Sequence, residues 1–204
     1  MNILIVGANG NLGQAFVDYC ETQKYNYLAL SRDQLDITDK FLVGSFFAKN
    51  QKFSHVIICA AYTNVDFAES SIEDCMAVNV IGIKNLIEYS TGKLIHFSTD
   101  FVFDGQKKSG YLFNDTRNPI NVYGKSKLEA EKLLENFDGE WANIRISSLI
   151  SPNSSFVKFL NEVIEKQKPV EIINSNLMIP TFANLLVAEV IEYFVLRNFE
   201  SGHF

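Results

Sequence analysis

The stretch Ile3-Leu-Ile-Val-Gly7-Ala-Asn-Gly10-Asn-Leu-Gly13 decides the fold of this 204-residue chain. Four apolar residues typical of a buried strand lead into three glycines spaced GxxGxxG, and a helical pattern begins near Asn11. Glycine permits a tight turn and lets the backbone approach a pyrophosphate, while the free N–H groups of a helix start attract that anion. A glycine triad alone is often only a turn. Its place between a strand and a helix predicts that Gly7, Gly10 and Gly13 bind a dinucleotide.

Short apolar runs rich in β-branched residues alternate with segments of helical period along the rest of the chain. The predicted strands are Asn2–Gly7, Tyr25–Ser31, His55–Ala60, Lys93–Thr99, Ala142–Ser147 and Val170–Asn174. The predicted helices are Asn11–Thr22, Thr38–Asn50, Ile72–Ser90, Val122–Phe137, Phe156–Gln167 and Phe182–Arg197. This alternation predicts an α/β fold with a doubly wound, Rossmann-like parallel sheet. We expect residues 1–147 to form the dinucleotide-binding domain and residues 148–204 to form a rudimentary C-terminal lobe packed on it.

Composition excludes several classes of protein and partner. With 47% hydrophobic and 21% charged residues, the chain is typical of one soluble domain. The net charge of −6, without a basic run, argues against nucleic acid and anionic membranes as partners, and no apolar run reaches the ~20 residues of a membrane span. Three cysteines without a CxxC pair indicate a reduced, cytoplasmic compartment, and three dispersed histidines predict no metal site.

Arg32 ends the second predicted strand, 19 positions after Gly13. In dinucleotide-binding folds, an acidic residue near this position binds the ribose 2′-hydroxyl of NAD, whereas an arginine accommodates the 2′-phosphate of NADP. The sequence therefore favours NADP. NAD is left open, because Asp33 is adjacent and the alternative for Arg32 is a side chain that is simply exposed to solvent.

Tyr123 and Lys127 begin a predicted helix in the sequence Tyr123-Gly-Lys-Ser-Lys127. A spacing of four places the phenol and the ammonium on one face, which continues through Ala130 and Leu134. A free tyrosine has a pKa near 10, and bringing it towards 7 requires about 4 kcal/mol of stabilisation, of the sign that a nearby ammonium supplies. The pair is a candidate acid–base unit, although this spacing is also common by chance.

Three weaker candidates accompany this pair. Thr99 closes an apolar strand and could orient a substrate carbonyl, but a turn cap is its plain alternative. Ala60 and the small residues around it permit a flat ligand to approach, and they suit simple packing equally well. Asn79 lies on the apolar stripe of its helix, where it either ties the helix to the sheet or holds a catalytic water.

These weak signals share one location in the predicted sheet. Five residues lie at or just past the carboxyl end of a predicted parallel strand: Gly7, Arg32, Ala60, Thr99 and Ser148. Open α/β sheets bind their ligands at this edge. The coincidence predicts a single site.

In order and spacing, five segments resemble the dTDP-4-dehydrorhamnose reductases, which belong to the extended short-chain dehydrogenase/reductase family. They are Gly7–Gly13, Ala60-Ala-Tyr-Thr-Asn-Val-Asp66, Val78-Asn-Val80, Phe97-Ser-Thr-Asp-Phe-Val-Phe-Asp-Gly105 and Asn121-Val-Tyr-Gly-Lys-Ser-Lys-Leu-Glu-Ala-Glu131. The resemblance runs from Met1 to about Arg145, and more faintly through Pro180-Thr181. It implies NAD(P)H-dependent reduction of the 4-keto group of a nucleotide-linked 6-deoxyhexose, in deoxysugar precursor synthesis for polysaccharides.

The resemblance also implies roles for individual residues. Thr99, Tyr123 and Lys127 would be the catalytic trio, with Lys127 also holding the cofactor ribose. Residues expected to contact the dinucleotide are Gly7, Asn9, Gly10, Asn11, Leu12, Gly13, Ala60, Ala61 and Tyr62, with Asp36 and Ile37 along the adenine. Asn79 and Arg32 complete the predicted cofactor set.

The departures from this family fall in the substrate half. Phe101 stands where tyrosine is common, Leu149 and Ser151 replace a tryptophan and a tyrosine, and Ser175–Thr181 lacks the usual D-Q-x-G-x-P-T sequence. Family members also continue beyond Phe204 into a lobe that helps hold the sugar nucleotide. The alternative function is therefore a non-catalytic, dinucleotide-binding regulatory subunit of the same fold, as in the β subunit of methionine adenosyltransferase. A homodimer is left open.

Overall fold

The computed structural model describes residues 2–50, 52–167, 169–171 and 179–204. Within this part of the chain there are eight strands: β1 Ile3–Val6, β2 Tyr27–Leu30, β3 His55–Ile58, β4 Lys93–Thr99, β5 Trp141–Ile146, β6 Leu149–Ile150, β7 Thr181–Phe182 and β8 Gly202–His203. The described α-helices are α1 Asn11–Gln23, α2 Lys40–Lys49, α3 Val65–Ala68, α4 Ile72–Met76, α5 Gly82–Tyr89, α6 Val122–Glu135, α7 Ser155–Lys166 and α8 Ala183–Val190. A π-helical turn, Ala77–Ile81, joins α4 to α5, and a second, Ile191–Val195, extends α8.

Six of these strands form one parallel sheet in the order β2-β1-β3-β4-β5-β8. The chain moves from β1 to β2 on one side and then returns to place β3 on the other side of β1. Ligands of open α/β sheets bind at the carboxyl ends of the strands where the order reverses in this way. The topology therefore places a binding crevice at the carboxyl ends of β1, β2 and β3.

Both faces of the sheet are covered, because alternate residues of each strand point to opposite sides. In β1, Leu4 and Val6 pack with α2, α5 and α6 side chains such as Val43, Leu86 and Leu134. Ile3 and Ile5 pack instead with residues of α1 and α8, among them Phe16, Cys20 and Val187. These two apolar cores confirm the predicted doubly wound, Rossmann-like sheet.

The predicted strands and helices correspond closely to the observed ones up to Ile146. The helix predicted over Ile72–Ser90 is continuous but contains the π turn, and the pattern did not indicate β8 or the small β6–β7 sheet. Of the predicted strand Val170–Asn174, only Val170 and Glu171 are described, and neither is in a strand; the remainder lies outside the described residues.

The C-terminal stretch contributes to the main sheet as well as lying beside it. β8 pairs with β5 as the edge strand, and α8 buries Val187 and Val190 against the α1 side of the sheet. The division at 147/148 stays a prediction. Within the described part of the chain, no helix combines the length and apolar character that a membrane span needs.

Candidate active site

The glycine turn after β1 is built by two glycines that the backbone requires and one that it does not. Gly7 has φ +83°, and a Cβ there would lie 2.5 Å from the Ala60 nitrogen. A Cβ on Gly13 would overlap the Gly7 carbonyl oxygen, so α1 packs closely on the turn. At Gly10 a Cβ would reach only 3.4 Å from that same oxygen, an ordinary contact. Gly10 therefore keeps clear the space in front of the turn, which is where a pyrophosphate would lie.

Helix α1 presents its N-terminus to this space. Gly10 is the N-cap residue, and no side chain in the described part of the chain caps the helix. The first N–H groups of α1 consequently point towards the turn with the partial positive charge of a 13-residue helix behind them. The arrangement fits an anionic group. The dinucleotide contacts of Asn11, Leu12 and Gly13 stay predictions, and they would be made by the backbone.

A cleft of about 250 Å³ lies in front of the turn, at the crevice given by the topology. Nine predicted cofactor residues line it: Gly7, Asn9, Gly10, Arg32, Asp36, Ile37, Ala60, Ala61 and Tyr62. Sequence reasoning missed four more lining residues, namely Leu35, Thr38, Cys59 and Val78. Each is adjacent in sequence to a predicted residue, and Val78 belongs to the segment Val78-Asn-Val80 that carries the family resemblance. Including the immediate neighbours of the predicted residues would have found all four.

Arg32 and Asp36 form an ion pair at the far end of the cleft, with 3.3 Å between Arg32 Nε and Asp36 Oδ2. Burial raises the pKa of Asp36, but hydrogen bonds from the Thr38 N–H, the Thr38 hydroxyl and Arg32 more than offset this, so the pKa lies below its ordinary value. The Arg32 side chain is 75% exposed. Asp36 is thus a fixed anchor, and the guanidinium beside it has donors free for an entering anion.

Thr99 and Tyr123 are brought together by the close approach of α6 to the end of β4. A Cβ on Gly124 would overlap the Phe101 carbonyl oxygen, and Asn121 caps α6 by accepting from the Gly124 N–H at 2.7 Å. This start of the helix places the Tyr123 phenol beside Thr99, whose hydroxyl donates to Asp100 Oδ1 at 3.1 Å. Burial raises the pKa of Tyr123 to about 12, so the phenol holds its proton at neutral pH.

Lys127 lies one turn further along α6 and is only 2% exposed. Burial lowers the pKa of its ammonium to about 8, while the Glu131 carboxylate acts in the opposite direction. Its Nζ atom is 3.0 Å from Nε2 of His96 in β4. The sequence predicts that Lys127 lowers the pKa of Tyr123 towards neutrality; the structure gives the opposite direction, because burial raises this pKa.

Asn79 lies in the π turn between α4 and α5 and makes contacts on two sides. Its Oδ1 accepts from the Tyr62 N–H at 2.8 Å, while its Nδ2 donates to the Tyr62 carbonyl at 3.1 Å and to the Ser126 hydroxyl at 2.9 Å. Single π turns are frequent at functional sites. Here the turn lets Asn79 fix the Tyr62 backbone at the edge of the cleft to α6, next to Lys127.

Sequence reasoning missed a group of polar residues behind Lys127. His96, Glu131 and Asn143 are buried, whereas Arg145 and His203 are half-buried. Two signals could have found them. His96 interrupts the apolar strand Lys93–Thr99, and Glu131 follows Lys127 by four residues on the buried face of α6. No group of three or more His, Cys, Asp or Glu in the described part of the chain could hold a metal ion.

Comparison with known proteins connects this geometry to one family. The family model described as the RmlD substrate binding domain matches residues 1–202. A dTDP-4-dehydrorhamnose reductase from Aggregatibacter actinomycetemcomitans is 33% identical over 195 residues, which is 93% of this chain and 66% of that protein. The chain thus spans just under two thirds of this curated relative.

Solved structures agree with the sequence match. A dTDP-4-dehydrorhamnose reductase from Clostridium acetobutylicum superposes with a TM-score of 0.92 at 30% identity, covering 100% of this chain and 74% of that one. The corresponding reductase from Bacillus anthracis, solved in complex with NADP, gives a TM-score of 0.89 at 27% identity and covers 100% and 73% of the two chains.

Proposed function

The chain belongs to the family described as the RmlD substrate binding domain, and from this membership we propose that it is an NAD(P)H-dependent reductase of a 4-keto nucleotide sugar, in deoxysugar precursor synthesis. One observation carries the proposal. The cleft in front of the glycine turn and the neighbouring side chains of Thr99 and Tyr123 occur at the same carboxyl edge of one sheet. A dinucleotide and an acid–base group are the two requirements of carbonyl reduction.

The residues present fit a nicotinamide dinucleotide. Gly10 leaves the space for a pyrophosphate, α1 supplies N–H donors, and Arg32 offers donors at the opposite end of the cleft. Arginine at this end favours NADP over NAD, in agreement with the NADP complex of the Bacillus anthracis relative. When bound, the cofactor supplies the hydride.

The chain's own residues supply the proton and the orientation. Thr99 donates a hydrogen bond to the substrate carbonyl, and Tyr123 gives its proton to the oxygen as negative charge develops on it. The phenol is protonated at neutral pH, as a proton donor must be. The Lys127 ammonium stabilises the resulting phenolate and holds the cofactor ribose, while Asn79 keeps the Tyr62 segment in place.

The decisive experiment follows NADPH absorbance while the protein is offered dTDP-4-dehydro-6-deoxy-L-mannose and other 4-keto nucleotide sugars. Turnover of any of them that is lost in Tyr123→Phe supports the reductase. Tight NADPH binding by calorimetry without turnover across the panel would contradict it and favour the regulatory subunit instead. Absence of binding to both NADPH and NADH would remove both functions. Cytoplasmic location and homodimer formation stay predictions.

A further inference from the structure

Behind Lys127 lies a continuous chain of buried hydrogen bonds. Lys127 Nζ contacts His96 Nε2 at 3.0 Å, and His96 Nδ1 lies 2.6 Å from Asn143 Oδ1. Asn143 Nδ2 is in turn 3.0 Å from Glu131 Oε1 and 2.9 Å from His203 Nδ1. His96 and Asn143 are fully buried between the strands and α6. These hydrogen bonds therefore connect β8, the edge strand of the sheet, to Lys127 in the candidate active site.

The end of this hydrogen-bond chain that lies away from Lys127 fixes the orientation of the Asn143 amide. Arg145 donates to both oxygens of Glu131, from Nε at 2.8 Å and from Nη2 at 2.7 Å, and Arg117 adds a third bond at 2.9 Å. These bonds keep Glu131 ionised, with a pKa of about 2 despite the burial that raises it. A carboxylate only accepts hydrogen bonds. The Asn143 NH₂ must therefore face Glu131, and its carbonyl oxygen must face His96.

This orientation determines where the proton of His96 lies. Because Asn143 Oδ1 can only accept, the nitrogen facing it, Nδ1, must carry the hydrogen. Burial lowers the pKa of His96 to about 3, so the ring is neutral and Nε2 has a lone pair. An ammonium only donates, which matches that lone pair. Every donor in the chain from Lys127 to Glu131 thus meets an acceptor.

We propose that His96 is a positioning residue for Lys127: a neutral imidazole, locked as the Nδ1–H tautomer by Asn143, whose Nε2 accepts from the ammonium and fixes its position between α6 and β4. The catalytic consequence rests on the proposed reductase function. The tautomer and the hydrogen bond do not, and they are measurable without cofactor or substrate. The second imidazole in the chain, His203, accepts from Asn143 at Nδ1 and donates from Nε2 to Glu135 at 2.8 Å.

The groups that face Lys127 and His96 set the conditions of a test. Lys127 faces Glu131 of α6, Cys75 of α4 and His96 of β4; His96 also faces Asn143 and, further away, Glu131 and His203. The Glu131 carboxylate opposes loss of the Lys127 proton, whereas burial favours it. Loss of the His96 acceptor removes a bond that the charged ammonium makes more strongly than the neutral amine, so it must move the Lys127 pKa further down.

The first measurement uses ¹⁵N-labelled wild-type protein without cofactor. Two-bond ¹⁵N–¹H correlation spectra of the histidine rings report which nitrogen is protonated. We expect His96 to be neutral with the proton on Nδ1 throughout pH 6 to 9, a range that lies well above its ring pKa of about 3. A proton on Nε2, or a charged ring anywhere in that range, would overturn the proposal even if the protein proves to be a reductase.

The second measurement compares His96→Leu, His96→Gln and the control His55→Gln. Leucine removes the acceptor, and we expect the Lys127 pKa, followed by its ¹⁵Nζ signal, to fall by about one unit. Glutamine can accept from Lys127 and donate to Asn143, so it should restore most of the shift. His55 is buried in β3 but contacts Ser54, not Lys127, and its replacement should leave the Lys127 pKa unchanged. Equal Lys127 pKa values in all folded variants would contradict the proposal.

In the reductase assay the same variants should separate positioning from packing. We expect His96→Leu to lower kcat roughly tenfold at neutral pH and to move its alkaline limb to lower pH, with KM for the keto-sugar nearly unchanged, because one unsatisfied buried donor costs on the order of a tenfold effect. His96→Gln should recover kcat to within about threefold of wild type. If both variants lose kcat equally without a shift of the pH profile, His96 serves packing alone. Should His96→Leu fail to fold, the wild-type tautomer and His96→Gln decide the matter.

Discussion

Helices α6 and α7 have similar lengths and opposite distributions of polarity. α6, Val122–Glu135, buries Lys127 and Glu131 together with four other residues. α7, Ser155–Lys166, buries none of its residues within the structure described, and Phe156 and Ile164 are exposed. A helix that buries charge and one that exposes phenylalanine both contradict simple partition by hydrophobicity.

The difference shows where the cost of burial is compensated. Each of the two buried charges of α6 meets a partner: Lys127 meets His96, and Glu131 meets Arg145 and Arg117. A buried charge with its partner generally adds no stability over a well-packed apolar side chain. Under the proposed function, the reaction uses the Lys127 ammonium. The apolar side of α7 has gained no comparable contacts from the described residues. The buried charges of α6 are therefore paired within the described structure, whereas the apolar side of α7 is exposed.

Tyr123→Phe tests the candidate active site and has the largest expected effect. Loss of the proton donor should lower kcat by about 10²–10⁴-fold. Affinity for NADPH should change little, because the phenol lies at the sheet edge beside Thr99 and does not line the cofactor cleft. Stopped-flow kinetics and calorimetry on the same preparation measure the two quantities. Retention of most of the activity would show that Tyr123 is not the donor.

Glu131→Leu tests whether the buried charges of α6 depend on one another. Removal of the carboxylate leaves Arg145 without its main partner and should cost about 3–5 kcal/mol of stability. Urea unfolding at neutral pH measures this cost, and Glu129→Leu, on the exposed side of the same helix, is the matched control that should cost little. A loss below about 1 kcal/mol for Glu131→Leu would mean that the two arginines are solvated without it.

The same residue predicts how stability depends on pH. Bonds from Arg145 and Arg117 hold the pKa of Glu131 at about 2, below its ordinary value of 4.5. The contribution of this group is complete above pH 4.5 and is lost as the pH falls through 2, because the unfolded chain takes up the proton first. In a stable enough background, the unfolding free energy of Glu131→Leu should fall less steeply over this range than that of wild type. Parallel curves would contradict the assignment.

Gly13→Ala and Gly10→Ala separate folding from binding at the turn. A Cβ on Gly13 overlaps the Gly7 carbonyl, so this variant should lose about 1–3 kcal/mol of stability. Gly10→Ala makes only an ordinary contact and should keep its Tm, while NADPH affinity falls because the methyl group enters the pyrophosphate space. Thermal unfolding and calorimetry resolve the two effects. Unaltered NADPH affinity in Gly10→Ala would place the pyrophosphate elsewhere.

Most of the candidate active site could be predicted from the sequence, because its residues lie in short motifs that are local in sequence. Gly7, Tyr123 and Lys127 lie in motifs whose spacing specifies a turn or a helix face. His96 and Asn143 could not be paired in this way, since they are 47 residues apart and meet only because β4 and β5 are adjacent in the sheet. Strand β8 was not predicted for a similar reason. Two residues are too few to show a periodic pattern, and only their pairing with β5 makes them a strand.

Leu134→Ala and Ile164→Ala measure the contrast between the two helices directly, and the second has the smallest expected effect. Leu134 of α6 is fully buried, so its truncation should cost about 2–5 kcal/mol. Ile164 of α7 is 71% exposed, and alanine has the higher helix propensity, so the change should lie within about 0.5 kcal/mol. Urea unfolding of both variants under identical conditions provides the comparison. A cost above about 1.5 kcal/mol for Ile164→Ala would mean that the apolar side of α7 is covered in solution. The contrast with α6 would then reflect what covers α7, and not a difference in how the two helices are built.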